Sequence, residues 1–152
     1  MISTIDLRKQ KLLGDLNDSE LDLIAKRMSV ETHAKGAKIF GEGEPTKGIC
    51  LVHKGKVEIS KTTPDGWKQT LAVISTSQFF GELSVIEDRK AHSTNAHAID
   101  ATELYRITTD DFKELEKSQP AMMYKMMKTI ARMAGRNVHS MNEKLMKALI
   151  SY

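Results

Sequence analysis

Residues 36–59 read GAKIFGEGEPTKGICLVHKGKVEI, a stretch in which short apolar runs alternate with glycine-rich turns. The apolar runs are 38–40, 49–52 and 56–59. Short strands separated by Gly and Pro are typical of antiparallel sandwiches and barrels. The run 56–59 also alternates charged with apolar residues, which predicts a strand with one buried face and one exposed face.

The same pattern continues on both sides of this stretch, from residue 30 to residue 107. Further apolar runs occur at 70–74 and 103–107, and Pro64-Asp65-Gly66 marks another turn. Cys50 is the single cysteine, and its place inside an apolar run predicts a buried, unreactive thiol. The middle of the chain is therefore predicted to form an antiparallel sandwich or barrel.

A helical pattern precedes the strands. Asn17 with Glu20 three residues later has the form of a capping box, which predicts that a helix begins at this point. Apolar residues at helical spacing then extend the predicted helix over 18–28. These residues are Leu21, Leu23, Ile24 and Met28.

Helical patterns also follow the strands. Thr109 or Asp110 is suited to cap a short helix over 110–117. Pro120 then stands where a helix favours proline, at the start of a segment, 121–151, that has no further Pro and a single Gly. Strands flanked by helices in this order predict an α+β fold.

Length and composition limit the remaining possibilities. The chain has 152 residues, of which 40% are apolar and 28% charged, as expected for one domain with an appended element. We predict a domain over 1–120 and a separate helical element over 121–152. No apolar run approaches the roughly 18 residues of a membrane helix, and the start is too polar for a secretory signal. We therefore expect a cytoplasmic protein that does not contact a membrane.

The predicted long helix carries an apolar stripe with alternating spacings of four and three, which is the pattern of a coiled-coil seam. The stripe consists of Met123, Met127, Ile130, Ala134, Asn137, Met141, Lys144 or Leu145, and Ala148. Two interpretations remain open, a homodimer through residues 121–150 and a helix packed against its own domain. The length of the helix favours the dimer.

The same helix is basic, because residues 121–152 carry a net charge of +5 while the whole chain carries +3. A basic helix indicates a solvated face, or contact with nucleic acid or an acidic partner. Catalytic patterns are absent from the sequence. The five His are scattered without metal-ligand spacing, and no Gly-x-Ser-x-Gly or phosphate-binding Walker motif occurs. We expect neither an enzyme nor a metal protein.

Residues 79–94, FFGELSVIEDRKAHST, have the composition of an anion-binding loop. Gly81 permits a sharp turn into a short helical run whose first amides are free for an anion, and Ser84 adds a hydroxyl. Glu82 is suited to accept a hydrogen bond from a ligand hydroxyl. The segment 89–94 supplies cationic and hydroxyl groups. A phosphate beside a sugar hydroxyl describes a nucleotide, whereas an ordinary β-turn is the alternative.

The ordered set of segments resembles the cyclic nucleotide-binding domain family, which includes the catabolite activator protein and the regulatory subunits of cAMP-dependent protein kinase. The resemblance spans residues 10–145. The matching segments are 17–21 (NDSEL), 38–45 (KIFGEGEP), 49–57 with its KGKV turn, and 79–83 (FFGEL). It implies a β jelly-roll, or double-stranded β-helix, with N-terminal helices and a long C-terminal helix.

The resemblance also implies a ligand, cAMP or cGMP, and a set of binding residues. Glu82 matches the residue that takes the ribose 2′-hydroxyl, and His92 stands where the family has an arginine that pairs with the phosphate. The remaining binding candidates are the rest of the loop and three positions on the long helix where the family reaches the base. They are Phe80, Gly81, Leu83, Ser84, Ser93 and Thr94 in the loop, and Asn137, Ser140 and Met141 on the helix.

His92 is the main departure from the family pattern, because imidazole lacks the permanent charge and two-pronged geometry of arginine. Arg89, three residues earlier, is the alternative cation. Two functions follow, a cyclic-nucleotide sensor that moves its C-terminal helix, and a degenerate domain that binds no nucleotide and serves in dimerisation or in docking a protein partner. The chain shows no helix-turn-helix after the long helix, so we expect no sequence-specific DNA binding.

Overall fold

The computed structural model describes residues 2–151. Three helical segments open the chain: α1 (Thr4–Arg8), a 3₁₀ turn (Lys11–Leu13) and α2 (Asp18–Ala25). The capping box at the start of α2 is confirmed, since the Asn17 side chain accepts from the Glu20 amide and the Glu20 side chain accepts from the Asn17 amide. The prediction that this helix reaches residue 28 is wrong. Met28 begins the first strand, and its backbone pairs with Ile107 across the sheet.

Eight strands follow, all paired antiparallel. They are β1 (Met28–His33), β2 (Lys38–Phe40), β3 (Gly48–Lys54), β4 (Lys56–Thr62), β5 (Lys68–Ser75), β6 (Phe79–Phe80), β7 (Asn95–Ala98) and β8 (Thr102–Thr108). The helix α3 (Glu82–Ile86) lies between β6 and β7. The sheets have the orders β1-β8-β3-β6 and β2-β7-β4-β5. Two four-stranded sheets in this arrangement, with helices before and after them, confirm the predicted jelly-roll.

Two helices close the chain, α4 (Thr109–Ser118) and α5 (Pro120–Ile150). Thr108, rather than Thr109 or Asp110, caps α4, because its side chain accepts a hydrogen bond from the Asp111 amide. Pro120 occupies the first turn of α5, as predicted. Within residues 2–151, no helix combines the length and the apolarity that a membrane crossing requires.

The first sheet, β1-β8-β3-β6, separates two apolar cores. One lies between this sheet and the helices and is called the helical core, and the other lies inside the roll. Ile49 and Leu51 of β3 face the helices, whereas Cys50 and Val52 face the interior of the roll. A strand buried on both faces needs a continuous apolar run, which explains why 49–52 does not alternate. Burial raises the pKa of the Cys50 thiol to about 11, and the predicted buried thiol is confirmed.

The helical core contains the beginning of α5. Met122, Met123, Met126 and Ile130 are buried there against the N-terminal helices and the first sheet. The predicted seam is therefore not continuous along the helix, because Met123 and Ile130 are already covered by the chain's own domain. Met141 and Leu145, further along, are exposed.

Candidate ligand-binding site

A cavity of about 390 Å³ opens between the second sheet, α3 and α5. Its wall combines apolar side chains of the sheet with polar groups from two loops. The lining residues are Phe40, Ile59, Ala72, Val73, Ile74, Gln78, Phe79, Phe80, Gly81, Glu82, Leu83, Ser84, His92, Ser93, Thr94, Met133 and Asn137. A cavity of this size, mostly apolar with a few convergent polar groups, has the character of a small-molecule site.

Gly81 positions the short helix α3 at the cavity. Its backbone is left-handed, with φ of 85°, and a Cβ atom there would lie 2.8 Å from the carbonyl oxygen of Gly48. Only glycine fits this backbone and this close approach without strain. The sharp turn brings Glu82, Leu83 and Ser84 to the cavity directly after β6.

Glu82 is the acidic group of the site. Burial raises the pKa of its carboxyl group above the ordinary range, and a hydrogen bond from its own backbone amide offsets part of that effect. A half-desolvated carboxyl group favours a partner that donates a hydrogen bond, such as a ligand hydroxyl.

His92 is held rigidly beside the cavity. Its ring stacks on Phe40 with 3.6 Å between the ring centroids and 8° between the planes. Its backbone amide donates to the Glu44 carbonyl oxygen, and its own carbonyl oxygen accepts from the Gly43 amide, both at 2.9 Å. The residue is only 4% exposed. The imidazole therefore lies in one fixed orientation.

The charge state of His92 follows from this burial. Burial lowers the pKa of the imidazole below its ordinary value, and the neighbouring Arg106 guanidinium lowers it further. Glu44 acts in the opposite direction and Lys47 in the same direction as Arg106. The Nε2 atom is buried and has no hydrogen-bond partner among residues 2–151. The imidazole is therefore uncharged near neutral pH and carries an unused polar atom.

Three of the candidates from the sequence lie outside the cavity. Arg89 turns away and pairs with Glu87, whose Oε2 atom lies 3.2 Å from Nε and 3.1 Å from Nη2. Ser140 and Met141 are exposed on α5. At 1.5 Å per residue the helix has by then passed the end of the roll, so its last contribution to the cavity is Asn137.

The remaining nine candidates all line the cavity. Sequence reasoning missed the apolar half of the wall, which comes from Phe40, from β4 and β5, and from Met133 on α5. The run 70–74 was recognised as a strand, but strand periodicity does not identify which face meets a cavity. Among residues 2–151, no three side chains of His, Cys, Asp or Glu lie close enough to hold a metal ion.

Comparison with known proteins identifies two relatives of this chain. The "Cyclic AMP receptor protein" of Thermus thermophilus is 27% identical over 126 residues, which are 83% of this chain and 58% of that protein. The cAMP-dependent protein kinase regulatory subunit of Debaryomyces hansenii is 29% identical over 109 residues, 72% of this chain and 23% of that subunit. The chain thus spans between about a quarter and three fifths of these relatives.

The folds also match. The crystal structure of the Thermus thermophilus catabolite activator protein superposes with a TM-score of 0.76 at 26% identity, over 90% of this chain and 62% of that chain. Residues 30–119, more than half of the chain, match the sequence model of the cyclic nucleotide-binding domain. The match to the sequence model and the shared fold show that this chain belongs to the cyclic nucleotide-binding domain family.

Proposed function

We propose that this chain is a regulatory sensor that binds a cyclic nucleotide, cAMP or cGMP, in the cavity and transmits its occupancy to α5. One observation carries the proposal: a single cavity is lined both by the loops that bear Glu82 and Ser93 and by Met133 and Asn137 of α5. A ligand that fills this cavity contacts the sheet domain and the long helix at once.

The polar groups of the cavity suit the two ends of a ribose cyclic phosphate. Glu82 is placed to accept a hydrogen bond from the sugar hydroxyl. Ser84, Ser93 and Thr94 offer hydroxyl groups to the phosphate oxygens. The apolar wall from β4, β5 and α5 offers surface to the base. The Thermus and Debaryomyces relatives, whose names refer to cyclic AMP, support the same ligand class.

Coupling to α5 follows from the position of the helix. Met126 and Ile130 fix its first turns in the helical core, while Met133 and Asn137 meet the cavity one to two turns later. A ligand shifts the arrangement of the helix only as far as its affinity for the two arrangements differs. Contacts with Met133 and Asn137 are the means by which that difference arises.

Homodimerisation through the exposed end of α5 is part of this proposal. Val138, Met141, Leu145 and Leu149 are exposed, and their spacings of three and four residues place them on one face. The same apolar stripe on a second copy of the chain can pack against this one, so a second copy is the partner that would cover it. We further propose that the sensor acts in the cytoplasm, regulates a protein partner, catalyses no reaction and reads no DNA sequence.

A second candidate function has an observation of its own. His92 stacks on Phe40 as a core residue does, and no Lys or Arg side chain lines the cavity within residues 2–151. A jelly-roll that has lost its phosphate partner would serve as a dimerisation or docking module and would bind no cyclic nucleotide.

Calorimetric titration with cAMP and with cGMP distinguishes these functions. The sensor predicts saturable binding that Glu82→Ala weakens by at least tenfold, because the ligand hydroxyl loses a charged acceptor. The matched control is Glu87→Ala, five residues along the same segment, where the side chain pairs with Arg89 outside the cavity. Absence of heat from both nucleotides would leave only the docking module.

A further inference from the structure

The charge balance of the cavity points to a property beyond nucleotide binding itself. Of the lining residues, Glu82 and His92 are the only two with ionisable side chains, and within residues 2–151 no Lys or Arg side chain joins them. A cyclic nucleotide carries one negative charge on its phosphate. In the empty site that charge would meet a carboxyl group and a neutral imidazole, and therefore no compensating positive charge.

One buried cation, Arg106, acts on His92; one of its nitrogens is paired with a carboxylate, and its Nε atom has no partner among residues 2–151. Arg106 of β8 is 8% exposed, and its Nη2 atom donates to the Glu31 Oε2 atom of β1 at 2.9 Å. Glu31 also approaches His33, whose Nε2 atom lies 3.3 Å from the same oxygen. Arg106 does not line the cavity. Its charge is therefore shared within the roll and does not replace a phosphate-binding cation in the wall.

We propose that the site takes up its anionic ligand together with one proton, and that this proton resides on the imidazole of His92. The inference rests on the cyclic-nucleotide function proposed above. His92 lines the cavity, is fixed by its stack on Phe40, and has a buried Nε2 atom without a partner among the described residues. Protonation turns this side chain into a cation in a wall that holds no other positively charged side chain among residues 2–151.

The charged groups around His92 set the conditions for this step. Arg106 from β8 and Lys47 from the β2–β3 connection oppose protonation in the empty site, and Glu44 from that connection favours it. Glu44 is itself paired with Lys38, and Glu82 from α3 shares the cavity. An anion placed against the imidazole adds the missing favourable charge. Ligand and proton therefore bind cooperatively, each raising the affinity for the other.

The direction of the pH dependence follows from linkage. The pKa of His92 in the empty site is below its ordinary value, and a bound anion raises it in the complex. Between these two pKa values, each unit of decrease in pH tightens binding by up to about tenfold. Above the pKa of the complex the affinity is weak and constant, and below the pKa of the empty site it is tight and constant.

The test is calorimetry of the intact chain with cAMP as the probe, at about pH 6 and about pH 8, on either side of the ordinary imidazole pKa. Each titration is repeated at the same pH in a second buffer with a different ionisation enthalpy, and phosphate is avoided because it would compete for an anion-binding site. The change in observed heat between the buffers gives the number of protons exchanged. We expect tighter binding at the lower pH and net uptake of up to one proton per ligand.

Three variants assign the proton. His92→Gln keeps a neutral polar side chain and abolishes the uptake. His92→Arg supplies a permanent charge, so binding becomes independent of pH. Glu82→Gln, which cannot ionise, retains the uptake. Circular dichroism establishes that each variant is folded, and the buffer comparison on the unaltered chain does not depend on any variant.

The outcomes separate the two proposals. Saturable binding without proton exchange and with equal affinity at both pH values overturns the role of His92 and leaves the cyclic-nucleotide function intact. Uptake that disappears in Glu82→Gln but persists in His92→Gln assigns the proton to the carboxyl group and also overturns this inference. No binding of cAMP or cGMP at either pH removes the nucleotide function, and the proton linkage with it.

Discussion

The two halves of α5 both carry apolar side chains but have opposite surroundings. In the first half, residues 120–135, Met126 is 0% exposed and packs into the helical core. In the second half, residues 136–150, Met146 is 54% exposed and Leu145 is 58% exposed. The difference lies in the position of each half, because residues 138–150 form about 20 Å of helix beyond Asn137, the last residue of α5 that lines the cavity.

This contrast shows that the apolar stripe of one helix can have two roles. The first half closes the domain, and its apolar side chains stabilise the fold. The side chains of residues 136–150 are exposed, and the proposed homodimer would cover the apolar ones. Only Met133 and Asn137, at the boundary between the halves, contact the proposed ligand site from this helix.

The largest expected difference is in the free energy of unfolding, when one methionine in each half is replaced by alanine. Met126→Ala should lower the free energy of unfolding by about 2–4 kcal/mol, because it leaves a cavity in a packed core. Met146→Ala should change that free energy by about 0.5 kcal/mol or less, because the side chain is already exposed. Urea denaturation at low protein concentration measures both. Equal losses would contradict the division of the helix into a buried and a free half.

The next largest effect is expected on dimerisation through the exposed apolar stripe that includes Met141 and Leu145. If a second copy covers Leu145, then Leu145→Glu should raise the dimer dissociation constant at least tenfold, about 1.4 kcal/mol, without unfolding the domain. Met146→Glu is the matched control, because the next residue on a helix points about 100° away. Sedimentation equilibrium over a range of protein concentrations gives both constants. A chain that stays monomeric throughout would rule out the second copy as the occupant.

The smallest effect is expected on stability, from the ion pair between Lys125 in the first half of α5 and Glu20 in α2. The Lys125 Nζ atom donates to the Glu20 Oε1 atom at 2.7 Å. Burial raises the pKa of Glu20, but hydrogen bonds from Lys125 and from the Asn17 amide outweigh it, so the net pKa lies below its ordinary value. The pair therefore stabilises the fold above the ordinary carboxyl pKa, and that stability is lost as pH falls through the lowered pKa.

Lys125→Met should cost about 0.5–1 kcal/mol at neutral pH, and the cost should vanish once Glu20 is protonated. Lys147→Met in the second half is the control, because Lys147 makes no ion pair with any residue in 2–151. Urea denaturation across acidic to neutral pH measures both variants. A cost for Lys125→Met that does not change with pH would show that the lysine acts through packing of its methylene groups instead.

Much of the fold was accessible from local patterns. The capping box at Asn17, the glycine-punctuated strands and Pro120 at the head of α5 each depend on a few neighbouring residues. Errors occurred where a distant partner decided the outcome. Met28 has the spacing of a helix residue, yet pairing with Ile107 draws it into a strand. The position of Arg89 was decided locally instead, because its side chain pairs with Glu87, two residues earlier, and lies outside the cavity.

The sequence by itself determined which residues are chemically equipped for a site, because residue type and local turn geometry are properties of short segments. It therefore identified Gly81, Glu82 and His92, and it indicated the long helix, whereas the division of the apolar residues into two cores came from the structure. Only the tertiary structure decided which of these groups meet. It closed the cavity with β5 and Met133, buried His92 against Phe40, and covered one half of α5 while leaving the other exposed. Those outcomes depend on long-range packing, which no local pattern encodes.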